Sequence, residues 1–394
     1  MNLRIVPADT GRAFKQFINL PWSIYRDDPY WVPPMKSAVR FLLSSKHPFY
    51  RHAEIRLFLA MKQGVPVGRI AAIVNHRHNE FHNEKAGFFG FFECVDDQDV
   101  ADALLAGAQD WLAASGADIV RGPVNPSTNE ECGLLVENFL SSPMVMMTYN
   151  PPYYADLLVG AGYEKAKDLY AYWYHVGKKL PDRLERIARK VKEREPGLNV
   201  RPIDMGRFTE ELDVVKVVYN EAWERNWGFV PMTAEELDHM ARQLKPVVVP
   251  EMVSLAFVDD EPAGFILALP DLNQVLKILN GTLFTPRLFK ALSAGRRIRT
   301  GRCLTLGVRE KFRKKGIESA MFAQVWGAGI ERGYRYGEFS WILEDNTIVH
   351  DTATRVFSAE HYKTYRIYEK PLGEKPLGEK PLGEKPLVSS HGPV

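Results

Sequence analysis

The sequence predicts an α/β (α+β) chain of two tandem units, each a mixed central sheet flanked by helices. Strand-like and helix-like apolar patterns alternate along 394 residues, a length that suits two domains of ordinary size. The order hairpin, strand, helix, strand occurs twice, on either side of a charged segment. Cys303–Ile330 supplies the third observation: a short alternation (Leu304, Leu306, Val308), a basic turn, then Ile317, Met321, Phe322, Val325 and Trp326 at helical spacing.

Composition sets the class. Hydrophobic residues make up 45% and charged residues 25%, as in a soluble globular protein, and a net charge of +2 gives no overall pull toward nucleic acid. Three cysteines, Cys94, Cys132 and Cys303, lie far apart without paired metal spacing, so neither a disulfide framework nor a zinc site is expected. The N-terminus lacks an apolar core of signal-peptide length and no window resembles a membrane span. These features predict a cytoplasmic protein, touching the inner face of a membrane only peripherally if at all.

In chain order, Trp22, Tyr25, Tyr30 and Trp31 lie among prolines and read as a cap on a core, with substrate gating as the other reading. Ile55–Arg77 is a hairpin with a glycine-containing turn. His76, His78 and His82 follow; without a defined carboxylate or thiolate beside them they read as a solvated hairpin tip and no metal is expected. GFFGFFECV is a buried strand, the next helix ends at Gly116, and DIVRGPVNP is another strand. Between strand and helix stands only ECVDDQD, acidic and glycine-free, a poor seat for polyphosphate.

Asn125, Ser127, Thr128, Asn129 and Glu130 cluster at a strand end, where open α/β sheets host ligands; they are either a wall of an acceptor pocket or a turn satisfying its own backbone. AGYEKAKDLYAYWYHV closes the first unit, residues 1–177. A connecting helix spans 178–198, and the second unit, 199–370, opens with the strand NVRPIDM. Helices are expected over Thr209–Trp227 and Thr233–Leu244, then strands in MVSLAFVDD and AGFILALP. Glu224, Trp227, Asp271 and Asn273 are acceptor-site candidates, against a core reading for the aromatic residues.

Between Gln274 and Arg302, Leu283, Phe284, Leu288, Phe289 and Leu292 alternate with six arginines and lysines. An apolar face beside a basic one over 283–302 suits peripheral membrane contact, where each cation adds on the order of 1 kcal/mol on anionic lipid. It also suits a lid over an anionic cofactor or a packing helix with a solvated side. From Glu369 the EKPLG units, each with proline and glycine, predict a disordered tail over 371–394.

The turn Arg313-Lys314-Lys315-Gly316-Ile317 offers what a polyanion needs at a helix start: unpartnered N–H groups, a positive dipole end, a glycine and cations. The alternative is a solvated basic turn. These residues resemble motif A of the GNAT acyltransferase superfamily, an Arg/Gln-x-x-Gly-x-Gly/Ala turn that holds the pyrophosphate of acyl-coenzyme A; Glu318 departs from it, standing where the family prefers Gly or Ala. GEFSWILEDN and the following helix resemble motif B. The first unit matches by topology only, as a GNAT unit that has lost its cofactor turn. The whole chain is similar to a bacterial tandem-GNAT group related to the bacterial ceramide synthases, which acylate a long-chain amine, with NPPYY, WGFVP, EDN and YKTYRIYEKPL as the shared segments.

The resemblance implies acetyl-CoA or a longer acyl-CoA as co-substrate and a small-molecule or lipid amine as acceptor. It implies cofactor contacts at Thr305, Leu306, Gly307, Val308, Arg313, Lys314, Lys315, Gly316, Ile317 and Asn346, with an oxyanion donor at the N–H of Leu306 or Gly307. Glu344, Asp345 and Asp271 are the carboxylates expected to take the amine proton, and Glu224, Trp227, Asn273, Asn125 and Asn129 the acceptor contacts. Phe357 and Thr354 occupy the region where the family often has an acidic tyrosine. The competing readings are an acyl-CoA sensor without turnover and a membrane-surface scaffold.

Overall fold

Apolar runs pair edge to edge into one 13-stranded sheet that crosses the whole protein. The computed structural model describes residues 3–373, except 225 and 285; the first EKPLG unit, expected to open a disordered tail at 371, instead ends strand Glu360–Pro371, with Leu372 N donating to the Asp118 carbonyl, and the later units lie outside the described residues. From one edge the strands run Leu3–Pro7, Ala53–Lys62, Val65–Asn75, Ala86–Cys94, Ile119–Gly122, Glu360–Pro371, Glu164–His175, Tyr336–Leu343, Thr300–Val308, Glu261–Pro270, Val253–Val258 and Leu198–Pro202. Leu134–Leu135 pairs beside Glu360–Pro371.

Strand alternation sets the layers. Leu255 and Phe265 pack with Val218 of helix Phe208–Trp223, whereas Ala256 and Ile266 pack with Met321 of helix Ile317–Glu331. The two helices therefore cover opposite faces. In the first half, helix Gln98–Ala114 buries Val100, Leu104, Ala108 and Leu112 against the hairpin strands. Helix Ala234–Leu244 starts where the sequence T-A-E-E makes a reciprocal cap between Thr233 and Glu236.

The two halves exchange strands. Glu164–His175, expected to close the first unit, pairs antiparallel with Tyr336–Leu343 of the second. The last described strand, Glu360–Pro371, crosses back to pair with Ile119–Gly122 of the first. The two crossing strands also pair with each other from Glu360–Trp173 to Glu369–Glu164. Arg366 is held bidentately by Asp168 across this seam, at 2.7 and 3.0 Å.

Other expectations shift locally. The helix expected to reach Trp227 ends at Trp223, because Asn226 and Phe229 turn back onto the preceding carbonyls and Gly228 takes φ +67°. His76–His82 is a helix rather than a solvated tip: His78 is buried and bonds Glu84 at 2.6 Å, and His82 bonds the Phe229 carbonyl at 2.8 Å. Among the described residues no group of three or more His, Cys, Asp or Glu could hold a metal ion.

Each half lacks a central strand without the other, so a chain cut once between Gly177 and Leu180 should elute from size exclusion as one particle of intact size. The halves expressed separately should be unfolded by circular dichroism; either half folding alone would contradict the exchange.

Candidate active site

The site begins where two parallel strands part. Thr300–Val308 pairs with Tyr336–Leu343 only from Thr300–Tyr336 to Cys303–Phe339. Beyond Cys303 it keeps its other neighbour, with Thr305 opposite Leu267, Leu306 opposite Ile266, Gly307 opposite Phe265 and Val308 opposite Gly264. One edge of Leu304–Val308 is thereby left toward an opening between the strands, a place where an extended ligand can pair with main chain.

The strand leads into the expected turn and helix. Lys314 (φ +62°) and Gly316 (φ +81°) are both left-handed, which turns successive N–H groups toward one side at the start of helix Ile317–Glu331. Gly316 also lies under the connecting helix Asp182–Arg194: a Cβ there would meet Val191 Cγ2 at 2.7 Å. The basic side chains are partly engaged. Arg313 donates to the Val308 and Ala222 carbonyls, at 3.1 and 2.8 Å, and Lys315 pairs with Glu195 at 3.1 Å. Glu318 lies in the first turn, and burial holds its carboxyl above the usual range.

The corresponding place in the first half is filled by its own chain. Ala86–Cys94 and Ile119–Gly122 also part, after Phe88–Arg121. Asn125 Oδ1 then accepts the Phe91 N–H at 2.6 Å, and Gly90 sits so close to the Val124 carbonyl that a Cβ would lie 1.7 Å from its oxygen. Asp97 caps the following helix by accepting from Val100 N and pairs with Lys62 at 2.7 Å. Side-chain carboxylate and amide occupy the positions a phosphate and an amide arm would need.

In the second half the opening adjoins a cleft of about 120 Å³ lined by Leu304, Thr305, Arg302, Glu130, Trp223 and Trp341, among others. A second cavity, about 410 Å³, adjoins it and shares Thr128, Asn226 and Trp227. Thr128, Asn129 and Glu130 of the first half form one wall. Thr128 donates to the Gly228 carbonyl at 2.7 Å, Asn129 to the Val230 carbonyl at 3.1 Å, and Tyr219 donates to Asn129 Oδ1 at 3.0 Å. Gly307 has no room for a Cβ because Trp223 would be 2.5 Å away. The Thr305 hydroxyl is buried without a hydrogen-bond partner among the described residues.

Glu130 dominates the electrostatics. Burial, then the charges of Glu131 and Glu236, push its carboxyl up to about 8. Glu131 keeps accessible surface although protein surrounds it; burial pushes it up to about 7 against the pull of Arg302. Arg302 is buried and anchored by the carbonyls of Val145 and Met146 and by Ser340. The thiols of Cys94, Cys132 and Cys303 are pushed up to about 12 by burial, so none offers a thiolate.

The structure distributes the sequence-derived site residues unevenly. Thr305, Asn129 and Trp227 meet in the cleft, and Glu224 joins Trp227 at the adjoining cavity. Glu344 and Asp345 are drawn into ion pairs with Lys165 (2.5 Å) and Lys167 (3.0 Å) on the exchanged strand. Asp271 accepts from Val145 N at 3.1 Å and Asn273 donates to the Pro143 carbonyl at 2.8 Å, so both pin the 143–147 loop; burial pushes Asp271 up to about 6. Asn125 fills the first half's opening, and Asn346 caps helix Thr347–Phe357 through Val349 N. Sequence reading placed Glu130 in a pocket wall and Arg302 among the cations of a basic face, whereas Arg302 is buried beside the cleft; it passed over Glu131 and Trp341. The Glu-Glu doublet inside an otherwise uncharged NPST–C turn was the one available signal.

A central strand parting from its parallel neighbour, followed by a left-handed glycine and a helix, with the arrangement repeated once, defines a tandem GNAT fold. No family model matches the chain. It is 35% identical over 382 residues to the bacterial ceramide synthase of Caulobacter vibrioides (strain NA1000 / CB15N), covering 94% of this chain and 98% of that protein. It is also 35% identical over 367 residues to protein YghO of Escherichia coli (strain K12), covering 91% and 93%. The chain belongs to the family of these two proteins. Among solved structures, a tandem GNAT protein from the clavulanic acid biosynthesis pathway superposes with a TM-score of 0.56 at 14% identity, over 95% of this chain and 100% of that one. A GCN5-related glucosamine N-acetyltransferase region of a fungal multi-domain GH3 beta-N-acetylglucosaminidase gives 0.57 at 15% identity, over 94% of this chain and 38% of that one. These two likenesses concern the fold.

The open strand edge, the left-handed turn and the helix start fit an acyl-CoA, with Glu318 as an opposing charge in the first turn of the helix. Replacing it by glutamine should tighten CoA binding by about 2- to 30-fold in calorimetry, with no loss of stability at neutral pH, because burial already disfavours the charged carboxylate. Weaker binding in E318Q would remove the phosphate from this turn.

Proposed function

We propose that the protein is an acyl-CoA-dependent N-acyltransferase whose acceptor is a long-chain lipid amine. The observation that carries this reading is that Glu130 and the open edge at Leu304–Thr305 line one cleft. The family's ceramide synthase supports the acceptor class. Apolar walls from Trp223, Trp227, Phe229, Met146 and Met240, and a larger adjoining cavity, suit an alkyl chain.

The chemistry follows from the groups present. An alkylammonium acceptor must lose a proton before its nitrogen can attack the thioester carbon, and a carboxylate is the most effective base when its pKa lies near the working pH. Glu130 is given that role. An N–H on the open edge between Leu304 and Val308 stabilises the developing oxyanion. The C–N bond forms as the C–S bond breaks: Glu130 takes the first proton of the ammonium, and the second, released from the nitrogen as the amide forms, goes to the coenzyme sulfur, which leaves as the thiol. With the cysteines held neutral, direct attack is preferred to an acyl-cysteine intermediate.

Glu318 at the helix start and the lack of a tyrosine on helix Thr347–Phe357 favour a second reading, an acyl-CoA sensor. Thr354 Oγ1 donates to the His350 carbonyl, and Phe357 is buried. Incubation with radiolabelled acyl-CoA and a panel of long-chain amines separates the two: product marks the enzyme, saturable binding without product the sensor.

E130Q should lower kcat/KM by about 10²- to 10⁴-fold. In the unchanged protein kcat/KM should rise with pH through about 8, as Glu130 becomes the carboxylate, and E130Q should lack that limb. Stability moves the other way. The folded carboxyl near 8 stands above its ordinary 4.5, so its contribution is full below pH 4.5 and is lost as pH rises through 8. E130Q should therefore melt above the unchanged protein at pH 9; a lower melting point together with retained activity would make Glu130 structural.

A further inference from the structure

We infer that the face built by residues 281–299 docks on an anionic lipid surface. The stretch has no acidic residue anywhere between Asp271 and Glu310. Its helix Leu288–Gly295 is anchored from beneath by Ala291 and followed by Ile298, both buried. The outward side chains are apolar: Phe284 is 98% exposed, Phe289 82%, Leu292 59% and Leu283 52%. Phe284 is the most exposed large hydrophobic residue among those described. Such a cluster is costly in water and marks a contact surface.

The face is fastened to the body of the protein. Lys36 N donates to the Gly281 carbonyl at 3.0 Å, Trp22 Nε1 donates to Asn280 Oδ1 at 2.9 Å, and a Cβ on Gly281 would lie 2.4 Å from the Trp22 ring. The Pro/Trp segment near the N-terminus thus serves as a mount: Tyr25 and Trp31 stack at 4.8 Å, and Trp22 meets Trp31 edge-on at 5.3 Å.

Cations flank the apolar tip. Lys290, Arg296, Arg297 and Arg299 are exposed, and among the described residues no ion pair engages them. Arg297 donates to Ser293 Oγ, and Arg299 to the carbonyls of Arg296 and Ile298. Phenylalanine and leucine entering the acyl boundary, with guanidinium and ammonium groups at headgroup level, is how an interfacial helix lies on a charged bilayer. No helix among the described residues is long and apolar enough to cross a membrane.

Placement and charge decide between occupants. The segment enters strand Thr300–Val308 at Thr300, whereas the phosphate turn follows Val308 at the other end. Those ends are about 25 Å apart at the rise of a strand. The segment therefore does not cover the turn as a lid would. A second copy of the chain docked through a two-fold axis would set the same unpaired cations against each other. An acidic lipid surface meets both the rings and the charges. The inference holds whether or not the cleft transfers an acyl group.

Flotation of the full chain with vesicles tests it. Binding is expected to an equal mixture of phosphatidylglycerol and phosphatidylcholine, to weaken as salt is raised, and to be weak on phosphatidylcholine alone. F284S/F289S should bind about tenfold less or worse, and K290E/R296E should lose the salt-dependent part. Both variants should keep the unchanged melting temperature, because the altered side chains are exposed. The inference is overturned if the unchanged protein does not float with anionic vesicles or if F284S/F289S floats equally well. It is also overturned if light scattering shows a dimer that F284S/F289S dissociates without any vesicle binding.

Discussion

The antiparallel seam between Glu164–His175 and Glu360–Pro371 is the constraint on which the rest depends. Each strand is the last sheet strand of its half in sequence and the first neighbour of the other half in space. Pairing of this length fixes register strongly, because a slip by one residue would turn Tyr365, Ile367, Leu169 and Ala171 out of the core they share. With the seam fixed, two half-sheets become one, and segment 125–131 is carried to the opening between the strands of the second half. The cleft exists because the halves cannot separate without breaking main-chain pairing.

The two halves then show one fold used in two ways. In both, a central strand parts from its parallel neighbour. The first half closes that gap with Asn125 and the Val124 carbonyl and caps its helix with Asp97, which makes it a scaffold. The second half keeps the gap and places left-handed Lys314 and Gly316 before its helix. The filled half presents its next residues, Thr128 to Glu131, to the open one. Loss of one site thus supplies the wall of the other.

Much of this was legible in the sequence because it is local. The strand, basic turn and helix of Cys303–Ile330 depend on spacing within a few residues, as do the Thr233–Glu236 cap and the acidic turn before Gln98. The strand exchange was not legible: Tyr- and Trp-rich strands such as Glu164–His175 carry no local mark of which neighbour they will choose. The surroundings of the carboxylates were illegible for a related reason. Glu344 and Asp345 follow a strand at the family's site, but Lys165 and Lys167, far away in sequence, neutralise them. Glu130 becomes basic only because burial and two neighbouring carboxylates surround it, which composition cannot state.

The most direct test is amide hydrogen exchange on the full chain with and without an acyl-CoA. The account predicts new protection confined to Leu304–Val308 and to the start of helix Ile317–Glu331, with the equivalent stretch Phe89–Val95 of the first half unchanged. Protection that appears in Phe89–Val95 instead, or none along Leu304–Val308 at saturating ligand, would contradict it.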